Sequence, residues 1–413
     1  MSNIYIVGAG MTPLGRHLDK SVKQLTALAV DAALADAGTS REAIGAAWFS
    51  NTRQGALEGQ HGIRGQCALR AYGFEEIPIF NTDNACCSSS SAMLQAYGAI
   101  KGGLYDVALV VGTEKMNYPD KRTEAFAAFK GSMDLDLAEA HMQALITLGE
   151  GIELPAHALQ DSGERSVFMD LYSAMARMHM RMFGTTQRQI AEVAAKNHWH
   201  SQWNPMAQYR KPMSVDEVLA DKLVSWPMTR SMCAPQSDGA GALVLCSEDA
   251  LSRFDRSRAI RIAGCVLGSG TNRRGDDLER GASRLAALKA YEMASISPQD
   301  VSVAEIHDAT AFAEILQSES MGFCEFGAGG RLVESGNTRL GGALPINTSG
   351  GLLSKGHPTA ATGAIQMHDL VLQLRGEAGE RQVPAPRFAL AENGGGFYGC
   401  EEAAVTVTIL ARH

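Results

Sequence analysis

The stretch NTDNACCSSSSAMLQAYGAIKGG (residues 81–103) places two adjacent thiols, Cys86 and Cys87, and four serines at the head of an apolar segment. A thiol at a helix N-terminus meets unpaired N–H groups and a partial positive charge, which favour the thiolate. Either sulfur is therefore a candidate nucleophile, although free cysteine is also among the most commonly buried residues. The serines suit caps and close packing better than nucleophilic roles. A second loop, EIHDATAFAE (305–314), sets His307 and Asp308 between a buried-looking strand and a helix. His307 is placed to donate to a developing oxyanion; the plainer alternative has Asp308 capping the helix and His307 as a satisfied core group. In INTSGGLLSKGHPTAATGAIQ (346–366), Gly356 and Pro358 hold His357 in a tight loop. Proline suits the first turn of the following helix, and a histidine so fixed is a candidate general base.

The fourth loop, ENGGGFYGCEEA (392–403), carries three glycines after a strand. Their spacing, and the strand rather than helix that follows, argue against a dinucleotide site. These glycines let backbone pass close to a reacting centre, with Tyr398 or Cys400 near it. A metal is not expected. The eight cysteines form no CxxC pair, and His198 and His200, two apart on a helix, face different ways.

The elements that position these loops alternate. IYIVGAG (4–10), AAWFSN (46–51), IPIFNTD (77–83) and DVALVVG (106–112) read as strands, with helices over 22–38 and 91–103. From about 113 to 235 methionines and charges dominate, which predicts an inserted, mostly helical lobe over one end of the sheet. After 258 the rhythm begins again: a strand, a helix over 283–294, a strand over 303–308, a helix over 359–376 and a strand over 403–410. The fold class is α/β, with a second half that repeats the logic of the first. A net charge of −8 and no basic block exclude nucleic acid as a partner. No uninterrupted apolar run is long enough for a membrane span. The N-terminus runs straight into a strand, which leaves no room for a signal peptide and gives a cytoplasmic expectation.

Together these landmarks resemble the thiolases, and within them the sterol-carrier-protein-type (lipid-transfer-type) group. IVGAGMTPLGR, GGLYDVALVVGTEKM (102–116), SDGAGALVL (237–245), EIHDA, INTSGGLLSKGHPTAATG and QLRGEAGERQVP (373–384) carry the resemblance nearly end to end. It implies a five-layered αβαβα sandwich of two duplicated halves, residues 1–257 with the loop lobe and residues 258–413. It also implies coenzyme A thioesters as substrates, no bound cofactor, and a homodimer. The family's nucleophilic cysteine precedes an alanine by six residues; Cys86 stands six before Ala92, so the register selects Cys86. His357 would be the base that takes its proton, and His307 would hold the thioester oxygen.

One departure concerns a second cysteine that serves the family as acid/base at the α-carbon. Ala309 occupies one of its two usual places, and the C-terminal loop does not match the other. Cys400, Tyr398 and Cys87 are the candidates for that proton shuttle. The expected activity is formation or cleavage of 3-oxoacyl-CoA through a Cys86 acyl-enzyme. The alternatives are a retro-aldolase or bulky-substrate thiolase acting with a small zinc-ribbon/OB-fold partner, and a non-catalytic acyl-CoA or lipid-binding subunit.

Overall fold

The computed structural model describes residues 3–159 and 163–412. Its strands are β1 (Ile4–Met11), β2 (Ala46–Ser50), β3 (Ile79–Thr82), β4 (Val107–Glu114), β5 (Leu223–Ser225), β6 (Met228–Thr229), β7 (Gly239–Ser247), β8 (Ile260–Gly268), β9 (Val303–Glu305), β10 (Phe388–Gly395) and β11 (Ala404–Arg412). Nine of them form one sheet in the order β3-β2-β4-β7-β1-β8-β11-β10-β9, while β5 and β6 pair separately. The seam between β1 and β8 is thin: only Tyr5 with Arg261 and Ile6 with Ile260 are in register. On one side of it lie five strands drawn from residues up to Ser247, on the other four drawn from Ile260 onward. Strands such as β1 and β4 are buried along their whole length, as strands covered on both faces must be.

Three helical layers supply that cover. The helices Val22–Ala37 and Arg64–Tyr72 bury Leu25, Ala29, Ala33 and Leu69 against Val7, Leu109 and Val244 on one outer face. On the other, the helix Ala282–Ala294 buries Ala286, Ala287 and Ala290 against Val405, Val407 and Ile409. Between the two half-sheets run the helices Ser88–Lys101 and Thr362–Arg375, whose Ala92, Met93, Ala96, Ala364 and Leu370 share one core with strands from both halves. This is the five-layered α/β sandwich that the resemblance implied.

Small side chains let the central helices touch. A Cβ on Gly363 would stand 2.5 Å from the Cβ of Ser90, and the Ala364 N–H donates to Ser89 Oγ at 3.0 Å. The serine run is therefore packing material. It begins the helix at Ser88 rather than at 91, all four serines are buried, and the N-cap position falls on Cys87 with no side-chain cap. Two short helices, Gln54–Glu58 and Arg64–Tyr72, carry no periodic signal because glycines at 55, 59, 62 and 65 interrupt it. The region 113–235 holds helices at Ala138–Leu148, Val167–Phe183 and Gln187–Ser201 besides the β5–β6 pair. No helix among the described residues is long and apolar enough to cross a membrane.

Candidate active site

β3 delivers the chain into a sharp turn at Asp83–Ala85, where Ala85 adopts φ 50°. A non-glycine residue there costs on the order of 1–3 kcal/mol and persists only where its surroundings enforce it. Here the enforcement is local. Ser88 Oγ accepts from the Asn84 N–H at 2.9 Å and donates to the Ala85 carbonyl at 2.6 Å. The turn separates the two sulfurs. Cys86 lines the large cavity, while Cys87 is fully buried, with its sulfur 3.5 Å from Ser90 Oγ, 3.6 Å from Ser91 Oγ and 3.7 Å from Thr406 Oγ1. Cys87 thus points into the core and is not placed to shuttle protons in the cavity.

His307 follows β9, and its N–H donates to Glu392 Oε2 at 2.9 Å. His357 lies in the loop before the second central helix, its N–H donating to Ser237 Oγ at 2.9 Å. Their rings meet edge to face with centroids 5.3 Å apart. One nitrogen of each ring and the Cys86 sulfur lie within 4.8 Å of one another. The three loops that carry them are far apart in sequence and converge at the ends of β3, β9 and β7.

The two imidazoles are held by different partners at Nδ1. The Asn393 amide nitrogen donates to His307 Nδ1 at 3.0 Å, and its oxygen accepts from Ser90 Oγ at 2.8 Å. The proton of His307 therefore sits on Nε2, which makes that atom a donor. Thr362 Oγ1 lies 2.9 Å from His357 Nδ1 and 3.5 Å from the Pro358 carbonyl oxygen. With its proton on Nδ1, donated to Thr362, His357 would keep the Nε2 lone pair, the state of a base.

Burial sets the protonation states. It pushes the Cys86 thiol up to about 12, with Arg53 opposing. It lowers His307 to about 3 and His357 well below its ordinary value, assisted by His307 and Arg53. The expectation of a thiolate stabilised by a helix end is not met. Cys86 lies two residues ahead of the helix, and enclosure outweighs the helix dipole. The resting site is a neutral thiol beside two neutral imidazoles. A thiol and two imidazoles in that span are also a donor set that a soft divalent cation accepts.

Tyr398 and Cys400 do not join this cluster. A tight turn closes between Tyr398 and Glu401, with Gly399 at φ 67°, and carries both away from the cavity. Tyr398 is 48% exposed with its ring edge on His141, and Cys400 packs its sulfur toward the Arg273 carbonyl. Asp308 does not cap its own helix. Thr310 does so, while Asp308 accepts from the Leu352 N–H at 2.6 Å, in the short helix Gly351–Ser354. His198 and His200 are buried on separate partners, the first with Ser354 and the second with the Asn347 carbonyl.

The cavity measures about 1320 Å³. Cys86, His307 and His357 line it together with Phe126, Phe129, Phe168 and Met169. Arg16, Arg122, Arg210 and Lys211, all exposed, line it as well. The methionines of MARMHMRMF (175–183) do not line it; Met175 and Met178 are core packing.

The sequence model of the thiolase N-terminal domain matches residues 4–225, and that of the thiolase C-terminal domain-like family matches residues 269–410. The chain belongs to the thiolase superfamily. Among curated relatives, an acetyl-CoA acetyltransferase of Methanothermobacter thermautotrophicus is 33% identical, with 97% of this chain and 98% of the relative aligned. Sterol carrier protein 2 of Homo sapiens is 33% identical over 95% of this chain and 70% of its own length. The benzoylsuccinyl-CoA thiolase subunit BbsB of Thauera aromatica is 31% identical over 96% and 95%. Among solved structures, an Ltp2-ChsH2(DUF35) aldolase superposes with a TM-score of 0.77 at 22% identity over 99% of this chain and 98% of the other. Human mitochondrial 3-ketoacyl-CoA thiolase gives 0.70 at 16% over 100% and 99%. The chain is thus an enzyme of the thiolase type, with thiolase-family acyltransferase chemistry.

Four positioning residues carry no local signal in the sequence: Ser90, Ser237, Thr362 and Asn393. Asn393 touches a histidine 86 residues away and Ser90 a residue 303 away. The nearest clue is that Asn393 directly precedes the three glycines of the C-terminal loop.

Proposed function

We propose that this thiolase cleaves or forms 3-oxoacyl-CoA thioesters through an acyl-enzyme on Cys86. The observation that carries the reading is one sulfur within 4.8 Å of a nitrogen of each of two imidazoles, both rings held at Nδ1 by other residues. His357 Nε2 takes the thiol proton, Sγ attacks the carbonyl carbon, and the His307 Nε2–H donates to the oxygen as charge develops on it. A donor so placed is worth about 2.7–4 kcal/mol in the transition state. The exposed cations along the cavity suit the phosphates of coenzyme A, and its buried end suits the thioester. Ordinary small-molecule pockets hold about 300–1,000 Å³, so the larger volume here, with its aromatic lining, favours an acyl group bulkier than acetyl. The assembly we assign is a homodimer.

The test is intact mass after mixing the protein with acetyl-CoA or decanoyl-CoA. Wild type and Cys87→Ala should each gain one acyl group, and Cys86→Ala should gain none. An adduct lost with Cys87→Ala alone would move the nucleophile. No adduct in wild type would favour the retro-aldolase, the lipid-binding subunit, or a chain that needs a small zinc-ribbon/OB-fold partner.

Asn393 holds the His307 donor in its tautomer, so Asn393→Ala should lower kcat about tenfold, the equivalent of one ordinary hydrogen bond, with little change in KM. Steady-state kinetics decide it, and a change in KM alone would assign Asn393 to binding instead.

A further inference from the structure

The carbon–carbon step needs a group that gives and takes a proton at the α-carbon, and neither cysteine nor tyrosine of the C-terminal loop faces the cavity. The same loop places a different acid there. Glu402 lines the cavity with Cys86, His307 and His357, yet it is only 4% exposed. Its Oε1 accepts from the Tyr172 hydroxyl at 3.2 Å and from Gln317 Nε2 at 3.3 Å. Among the described residues the carboxyl makes no salt bridge, although its own backbone N–H and the charge of Arg273 act on it. Its neighbour Glu401 is the opposite case. Arg273 Nε binds it at 2.9 Å, and the N–H groups of Thr271 and Ala282 donate to it at 3.1 and 2.7 Å. Glu401 is anchored structure, and Glu402 lines the cavity held only by neutral donors.

A second observation concerns the wall beside it. A Cβ on Gly394 would stand 2.6 Å from Glu402 Cγ, while a Cβ on Gly395 would stand 2.5 Å from the Cys87 nitrogen. The strand end is bare backbone on both faces, with the carboxyl against one and the cysteine turn against the other. Burial raises the Glu402 pKa from the ordinary carboxylate value, the direction required of a group that exchanges a proton near neutrality. Ala309, which also lines the cavity, has no proton to exchange.

We propose that Glu402 is the acid/base at the substrate α-carbon, with Tyr172 and Gln317 as the residues that position it. This rests on the thiolase reading above. In cleavage, the Cys86 proton passes to His357 Nε2 as Sγ bonds to C3. The C2–C3 bond breaks, its electron pair stays on C2, and Glu402 protonates C2 and becomes a carboxylate. The shortened CoA thioester leaves. The thiol of a second coenzyme A then gives its proton to Glu402 and attacks the acyl group. Cys86 departs and recovers its proton from His357. The enzyme returns to its starting state with no other reactant.

The experiment separates the two half-reactions in the full-length protein. Acylation of Cys86 by decanoyl-CoA is followed by intact mass. The carbon–carbon step is followed by thiolysis of 3-oxodecanoyl-CoA and by exchange of the acetyl-CoA methyl protons in D₂O. Glu402→Gln should acylate within threefold of wild type and lose thiolysis and exchange at least about a hundredfold. Glu402→Asp should recover part of the exchange. Cys400→Ala and Tyr398→Phe should stay within threefold in both steps. Thiolysis and exchange retained in Glu402→Gln would overturn the assignment, as would a hundredfold loss in Cys400→Ala. Loss of acylation together with thiolysis in Glu402→Gln would make the residue structural and overturn it too. A wild-type protein that forms no acyl-enzyme would instead overturn the thiolase reading on which the assignment stands.

Discussion

His357→Gln is expected to slow acylation of Cys86 about 10³-fold at pH 7 and to turn a flat pH profile into a rising one. With the thiol pushed up to about 12, unassisted ionisation leaves on the order of one thiolate in 10⁵ at neutrality, and the thiolate is the nucleophile. A positioned base contributes about 10²–10⁴ by removing the proton during attack. The pH dependence separates this from a loss of binding. His357 is depressed well below 6.5, chiefly by burial, so it loses its lone pair only when pH falls through that low value. The thiol stays protonated up to its raised value. Between pH 6 and 9 neither group changes state, and the wild-type rate should be level. Without the base, the rate follows free thiolate and climbs about tenfold per pH unit. Rapid-quench mass measurements over that range decide it. A level profile that survives in His357→Gln would assign the proton to another group.

Much of this site was legible before any coordinates, and the part that was not has a physical pattern. Cys86, His307 and His357 each sit in a loop whose own residues announce constraint: a run of small residues, a strand-to-helix junction, and a glycine and proline on either side of a histidine. The resemblance's register, with a cysteine six residues before Ala92, pointed to the sulfur that lines the cavity; the residues alone left both sulfurs open. The C-terminal loop misled in direction rather than in kind. Cys400 and Tyr398 are the right residue types, but Gly399 at φ 67° closes a turn that carries both outward. Glu402, two residues further on, returns to the cavity. Asn393 and Ser90 matter through contacts across two loops, for which one sequence offers no pattern. The thiolate expectation failed on magnitude. A helix end was weighed, while the desolvation of the Cys86 sulfur belongs to the assembled cavity.

Gly395→Ala is expected to destabilise the protein by about 1–3 kcal/mol and to cost about a hundredfold in acylation rate, although it adds a single methyl group. That methyl would lie 2.2 Å from the Asn84 carbonyl oxygen, 2.5 Å from the Cys87 nitrogen and 2.6 Å from the Cys87 Cβ. Two of these are backbone atoms, so no change of rotamer relieves the clash. Gly395 is not among the glycines with a left-handed backbone, so alanine meets no torsional objection and the cost is steric. The segment pushed is the turn that holds Ala85 in its strained conformation and aims Cys86 at His357. A misplacement of about 1 Å at a reacting atom is enough for a hundredfold loss. Gly268→Ala is the control. Its methyl would meet Ala286 Cβ at 3.5 Å, an ordinary contact in the far helical layer, and should leave both melting temperature and acylation near wild type. If Gly395→Ala lost stability while acylating at the wild-type rate, the strand end would be packing against a turn that tolerates displacement. The close approach of backbone to backbone would then owe nothing to the aim of the sulfur.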